Sequence, residues 1–100
     1  MKIELEEVMD DVLEEVESAE HYAREAVKHK EEYPQLALCY SKHAERRLED
    51  AESLQRSFSE LMPHDEHDRR AYMVITEYVK RKLQERMRSV KVMLEMYRAK

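Results

Sequence analysis

The sequence predicts an all-α chain: three long helices running up, down and up, joined by very short connections. Three observations predict it. The 100 residues include no glycine and only two prolines, Pro34 and Pro63. Apolar residues recur at steps of three and four along most of the chain. The two prolines sit where that spacing pauses. Sheets and hairpins rely on glycine-rich turns, so a chain without glycine points away from them.

The first helix is expected from about Lys2 to Glu31. Leu5, Val8, Met9, Val12, Val16, Ala19, Ala23, Ala26 and Val27 share one face at that spacing. Tyr33-Pro34 ends it, because a residue before proline is pushed out of helical geometry. Pro34 then suits the first turn of a second helix, where its missing N–H costs little. That helix is expected over 34–61, with Ala37, Tyr40, Ala44, Leu48, Ala51, Leu54, Phe58 and Leu61 inward. Met62-Pro63 closes it by the same logic. The third helix is expected over 65–98. Asp65, Glu66 and Asp68 stand where acids favour a helix start, and Arg98 and Lys100 suit its end. Ala71, Ile75, Tyr78, Val79, Leu83, Met87, Val90, Leu94 and Tyr97 form its expected core stripe. Each helix would be roughly 40–50 Å long at about 1.5 Å per residue.

Composition bounds the class further. Charged residues make up 41% of the chain, but 42% hydrophobic content at regular spacing suffices for one folded domain. The lone Cys39 cannot form an internal disulfide. No run approaches about 20 apolar residues, so no membrane helix is expected. The acidic start "MKIELEEVMDD" lacks the apolar core of a signal peptide. Together these lead to the expectation of a cytoplasmic protein.

The net charge of −5 hides an asymmetry. Residues 1–32 carry 12 acids against 4 bases, while residues 64–100 carry 6 acids against 10 bases. The first and last segments should therefore face each other, within the bundle or across a dimer, where charge sets pairing and orientation. "VKVMLEMY" (90–97) is apolar on more than one face. A three-helix monomer buries one face of its last helix, so Val92 and Met96, off the main stripe, predict an interface with a second copy of the chain.

Four groups of residues are candidates for chemistry. Glu17, Glu20 and His21 lie three and four residues apart and can meet on one helical flank. Carboxylates and imidazoles from facing helices build bundle metal sites, although an acidic helix also produces such triples as a solvated face. "HDEHD" (64–68) has two histidines and a carboxylate at metal-binding spacing, yet it stands where a helix cap is expected. "KRKLQERMRSVK" (80–91) is basic, but its charges wrap around the helix without interleaved aromatics. With an acidic chain, that argues against nucleic acid. Cys39 could approach His43, four residues on, or serve as a small helix residue. With no glycine there is no phosphate-cradling loop.

The stretch "AEHYAREAVKHKEEYPQLALCYSKHAERRLEDAESL" (19–54) carries Glu20, Tyr22 and Ala23, then Lys28 and Lys30 at the turn. Leu36, Ala37 and Tyr40 open the second helix, continued by Ala44, Leu48 and Leu54, and "LEMYRAK" closes the third. In these features the chain resembles the small ferritin-like helical-bundle proteins of bacteria and phages. The resemblance implies a ferritin-like bundle completed by dimerisation. Anchored on Leu48, the family's Glu-x-x-His falls at Arg47 and Asp50. Neither residue matches, so the metal-ligand motif is degenerate here. Asp50 could still ligate alone, and Glu17 and Glu20 could match first-helix ligands.

Two functional expectations follow. The leading one is a non-enzymatic bundle that self-associates and acts through protein contacts, with Val92 and Met96 in the interface and no cofactor. The alternative is a ferritin-like protein for iron or manganese, with Glu17, Glu20, His21 and Asp50 completing a site across a dimer.

Overall fold

The computed structural model describes residues 4–99. The expected helix start at Lys2 and the contribution of Lys100 lie outside these residues. Helix α1 spans Leu5–His29, α2 spans Pro34–Arg56 and α3 spans Glu66–Arg98; a 3-10 helix, Ser57–Leu61, follows α2 directly. No strand occurs among the described residues.

The turns are built without glycine, and no described residue has a positive φ. Helix α1 therefore ends without a left-handed cap. Lys30 stays right-handed helical at φ −52° and ψ −48°. Tyr33 then breaks the spiral at φ −132° and ψ 70°, as its place before Pro34 requires. The second helix was expected to run unbroken to Leu61. Its last turn instead tightens to 3-10 geometry, helped by the Ser57 and Ser59 hydroxyls, which donate to the carbonyls of Ser53 and Arg56. The tighter winding still delivers Phe58 to the interior, where it is the largest fully buried side chain. Met62 is extended before Pro63, and Asp65 caps α3 by accepting from the Asp68 N–H at 3.1 Å.

Side-chain pairs establish the topology. Glu15 meets Arg47 and Tyr22 meets Tyr40, so α1 and α2 are antiparallel. Glu52–Lys91 and Glu45–Arg98 make α2 and α3 antiparallel in turn. Arg86 reaches Glu17 and Glu20, and Lys30 donates to the Ala99 carbonyl, so α3 runs parallel to α1. The α1–α2 register places Ala19 level with Ala44, and Ala26 level with Ala37. All four are fully buried, and such small residues let the two backbones approach closely. Towards the other end of the bundle, Val12, Val16, Leu48, Phe58, Leu83, Met87, Val90 and Leu94 form one continuous core. Helices α2 and α3 both pack on α1 and touch each other least, which gives a flat body of 56 × 25 × 13 Å.

The expected inward faces of α1 and α2 hold. On α3 the expectation fails at its start. Ala71, Ile75 and Tyr78 face solvent, while Tyr72 and Thr76 are buried in their place. The true stripe runs Tyr72, Thr76, Val79, Leu83, Met87, Val90, Leu94. Thr76 can join it because its hydroxyl donates to the Met73 carbonyl at 3.2 Å. The Tyr72 hydroxyl has no hydrogen-bond partner among the described residues. Burial pushes its phenol above the usual tyrosine range.

Two stability measurements follow. Ala23→Leu would force a larger side chain into the α1–α2 seam and should cost about 1–3 kcal/mol in urea unfolding; an unchanged midpoint would mean the seam has room. Tyr72→Phe removes a buried hydroxyl that makes no bond and should raise stability by about 1 kcal/mol. A loss in that variant would reveal a partner for the hydroxyl.

Candidate functional site

The acids singled out on α1 point towards arginines. Glu20 Oε2 accepts from Arg86 Nη2 at 2.8 Å, and its other oxygen lies 3.3 Å from Arg24 Nη2. Glu17 Oε1 is 3.7 Å from Arg86 Nη1. One guanidinium from α3 thus bridges the two carboxylates, the forked geometry that suits arginine better than lysine. One turn earlier, Glu15 faces Arg47 of α2 at 3.3 Å. Arg47 is one of the two positions where the family resemblance would place a ligand, and here it supplies positive charge to α1.

The other expected ligands lie apart from this pair. His21 is exposed, its ring 5.5 Å from that of Tyr22, and Asp50 is exposed on α2. No group of three or more His, Cys, Asp or Glu residues that could hold a metal ion occurs among the described residues. In "HDEHD", Asp65 is the cap of α3, Glu66 pairs with Arg70 at 3.3 Å, and His64 and His67 are exposed. Cys39 is exposed and unpaired.

The charge asymmetry of the sequence is used within the chain. Arg86, Lys91 and Arg98 of α3 pair with acids of α1 and α2. Two of these pairs cross the open groove between α2 and α3, whose lobes measure about 400 and 410 Å³. Lys91 borders both lobes, with Glu52 at 3.5 Å and Arg98–Glu45 further along.

A feature unanticipated from sequence is a ribbon of rings along α1 and α2. Tyr22 stacks on Tyr40 at 5.9 Å and leans on His43 at 5.4 Å. His29 continues it, stacked on Tyr40 at 6.2 Å, edge-on to Tyr33, and held by Glu25 at 3.0 Å. These rings cover the alanine seam from one side.

The most exposed apolar surface lies on α3. Val92 and Met96, expected at an interface, are 49% and 55% exposed. Met73, Val74, Ile75 and Tyr78, which sequence reading did not place there, are exposed as well, Val74 to 71%. The signal was present in "AYMVITEYV" (71–79), which is apolar on several faces just as "VKVMLEMY" is. No described helix is long and apolar enough to cross a membrane.

The chain matches no protein-family model, no curated protein and no solved structure.

The arginine bridge is testable by a double-mutant cycle. Arg86→Ala and Glu20→Ala should show a coupling of about 0.5–1 kcal/mol, the range for partly exposed pairs, that shrinks as salt is raised. A coupling of zero in low salt would mean that the bridge does not hold α3 to α1.

Proposed function

We propose that this is a non-enzymatic, self-associating helical-bundle protein that acts through protein contacts, a ferritin-like arrangement completed by a second copy. One observation carries the reading: of the nine large hydrophobic side chains exposed among the described residues, six lie on α3. Single exposed apolar residues need no explanation, but a concentration along one helix marks an interaction surface.

Other features support it. The α1 carboxylates that a metal site would use, Glu17 and Glu20, both face Arg86, which favours a role in contacts over one in iron or manganese chemistry. The groove between α2 and α3 is spanned by ion pairs and lined mostly by charged and polar residues, whereas substrate pockets are mostly apolar. An exposed, unpaired Cys39 fits a reducing compartment such as the cytoplasm.

The test is the mass in solution. Wild-type protein at about 100 µM should elute as a dimer in size exclusion with light scattering. The variant carrying Val92→Glu and Met96→Glu should elute as a monomer with unchanged helical circular dichroism, because both side chains are exposed in the single chain. A wild-type monomer would refute self-association. A dimer indifferent to both changes would move the interface away from Val92 and Met96.

A further inference from the structure

Resting on the self-association reading, we propose that the partner surface is α3 of a second copy laid antiparallel to the first, with the two-fold axis passing beside Glu85.

The argument starts from spacing. Val74 and Val92 are eighteen residues apart, as are Tyr78 and Met96. Eighteen residues make about five full turns at 3.6 per turn, so all four share one line along the helix. That line lies opposite the buried stripe of Leu83, Met87, Val90 and Leu94 and points away from α1 and α2. Between its apolar ends it carries Arg81, Glu85 and Arg88, all exposed.

A two-fold interface requires that when residue i meets residue j, j also meets i. Val74 and Met96 are equidistant from Glu85, and so are Tyr78 and Val92. Antiparallel pairing centred on Glu85 therefore sets Val74 against Met96 of the second copy, and Tyr78 against Val92. Each contact joins a small β-branched side chain to a long or large one, which keeps the gap between the helices even. Parallel pairing would set tyrosine on tyrosine and valine on valine, wide at one level and empty at the next. It would also align the two helix dipoles, which antiparallel packing opposes favourably.

The middle of the line supplies register. At the axis each Glu85 lies within a turn of Arg81 and Arg88 of the second copy. Four guanidinium groups surround two carboxylates, and none of these residues forms an ion pair within its own chain among the described residues. A polar layer between apolar ends specifies alignment at some cost in affinity. Sliding by one turn would set an apolar end against an arginine, Tyr78 against Arg88 in one direction and Val92 against Arg81 in the other. No other described helix offers a matching surface: the exposed large hydrophobics outside α3 are Tyr33, Leu36 and Leu38, all at the start of α2.

The experiment uses the full chain with Cys39→Ser and a spin label at Glu66→Cys, an exposed site off the line. Glu66 is nineteen residues from Glu85, so antiparallel copies place the two labels roughly 57 Å apart at about 1.5 Å per residue. Parallel copies place them about 10–25 Å apart, the separation of packed helices plus the labels. A long distance in pulsed dipolar spectroscopy is expected, together with at least tenfold weaker dimerisation for Val74→Glu, which removes the partner of Met96. A dimer with the short distance overturns the antiparallel arrangement and leaves self-association standing. A dimer indifferent to Val74→Glu does the same. A wild-type monomer overturns both, and the line on α3 then belongs to a different protein.

Discussion

The close seam between α1 and α2 is the contact on which the rest of the molecule depends. Alanines at 19, 23 and 26 on one helix face alanines at 37 and 44 on the other, with Ser41 among them. Alanine contributes little apolar area by itself. Its value here is proximity: two helices that approach closely bring their flanking side chains within reach of one another. The ring ribbon of Tyr22, Tyr40, His43, His29 and Tyr33 exists because of that approach, and it shields the seam from one side. The glycine-free turn supports the seam from its end. With no left-handed residue available, the chain reverses by extending Tyr33, and the tight hairpin then holds α2 against α1.

A body built on one tight hairpin leaves its third helix less constrained. Helix α3 packs on α1 through Val79, Leu83, Met87, Val90 and Leu94, but it meets α2 mostly through ion pairs. Partly exposed pairs contribute little stability each, so their larger effect is on orientation. Arg86 against Glu17 and Glu20 fixes the level of α3 along α1, and Lys91 and Arg98 fix its rotation towards α2. The acidic α1 and basic α3 thus set register, which is why the charge asymmetry in the sequence is so large.

How much of this was legible follows from the same physics. Helix number, order and breaks were readable because proline and the absence of glycine act locally. The faces of α1 and α2 were readable because alanine, valine and leucine at steps of three and four leave one choice of inside. The start of α3 was not. There each face offers one tyrosine, but Ala71 and Ile75 are set against the polar Thr76, so the wrong face has the stronger hydrophobic signal. Only tertiary packing, with Phe58 and the 3-10 turn beside it, decides which face turns in. The acids on α1 were found as a group by spacing alone. Arg86, the partner of Glu20 and Glu17, lies 66 residues from Glu20, beyond the reach of any local pattern, and Glu15, which that spacing did not single out, meets Arg47 32 residues away.

That misreading of α3 bears on function. A helix whose more apolar residues face solvent at its start, and again at Val92 and Met96 near its end, conflicts with its own burial unless something covers it. Local conflicts of this kind concentrate where a chain has a task besides folding. The arginine that faces Glu17 and Glu20 argues in the same direction. The Arg86 guanidinium lies 2.8 Å from Glu20 and 3.7 Å from Glu17, so both carboxylates already face a cation. A metal centre needs carboxylates that are free to ligate and a position where substrate or water can enter. Here Glu17 and Glu20 face an arginine, while most of the large exposed apolar side chains among the described residues lie on α3. The surplus is therefore an exposed apolar surface, and the proposed self-association rests on it.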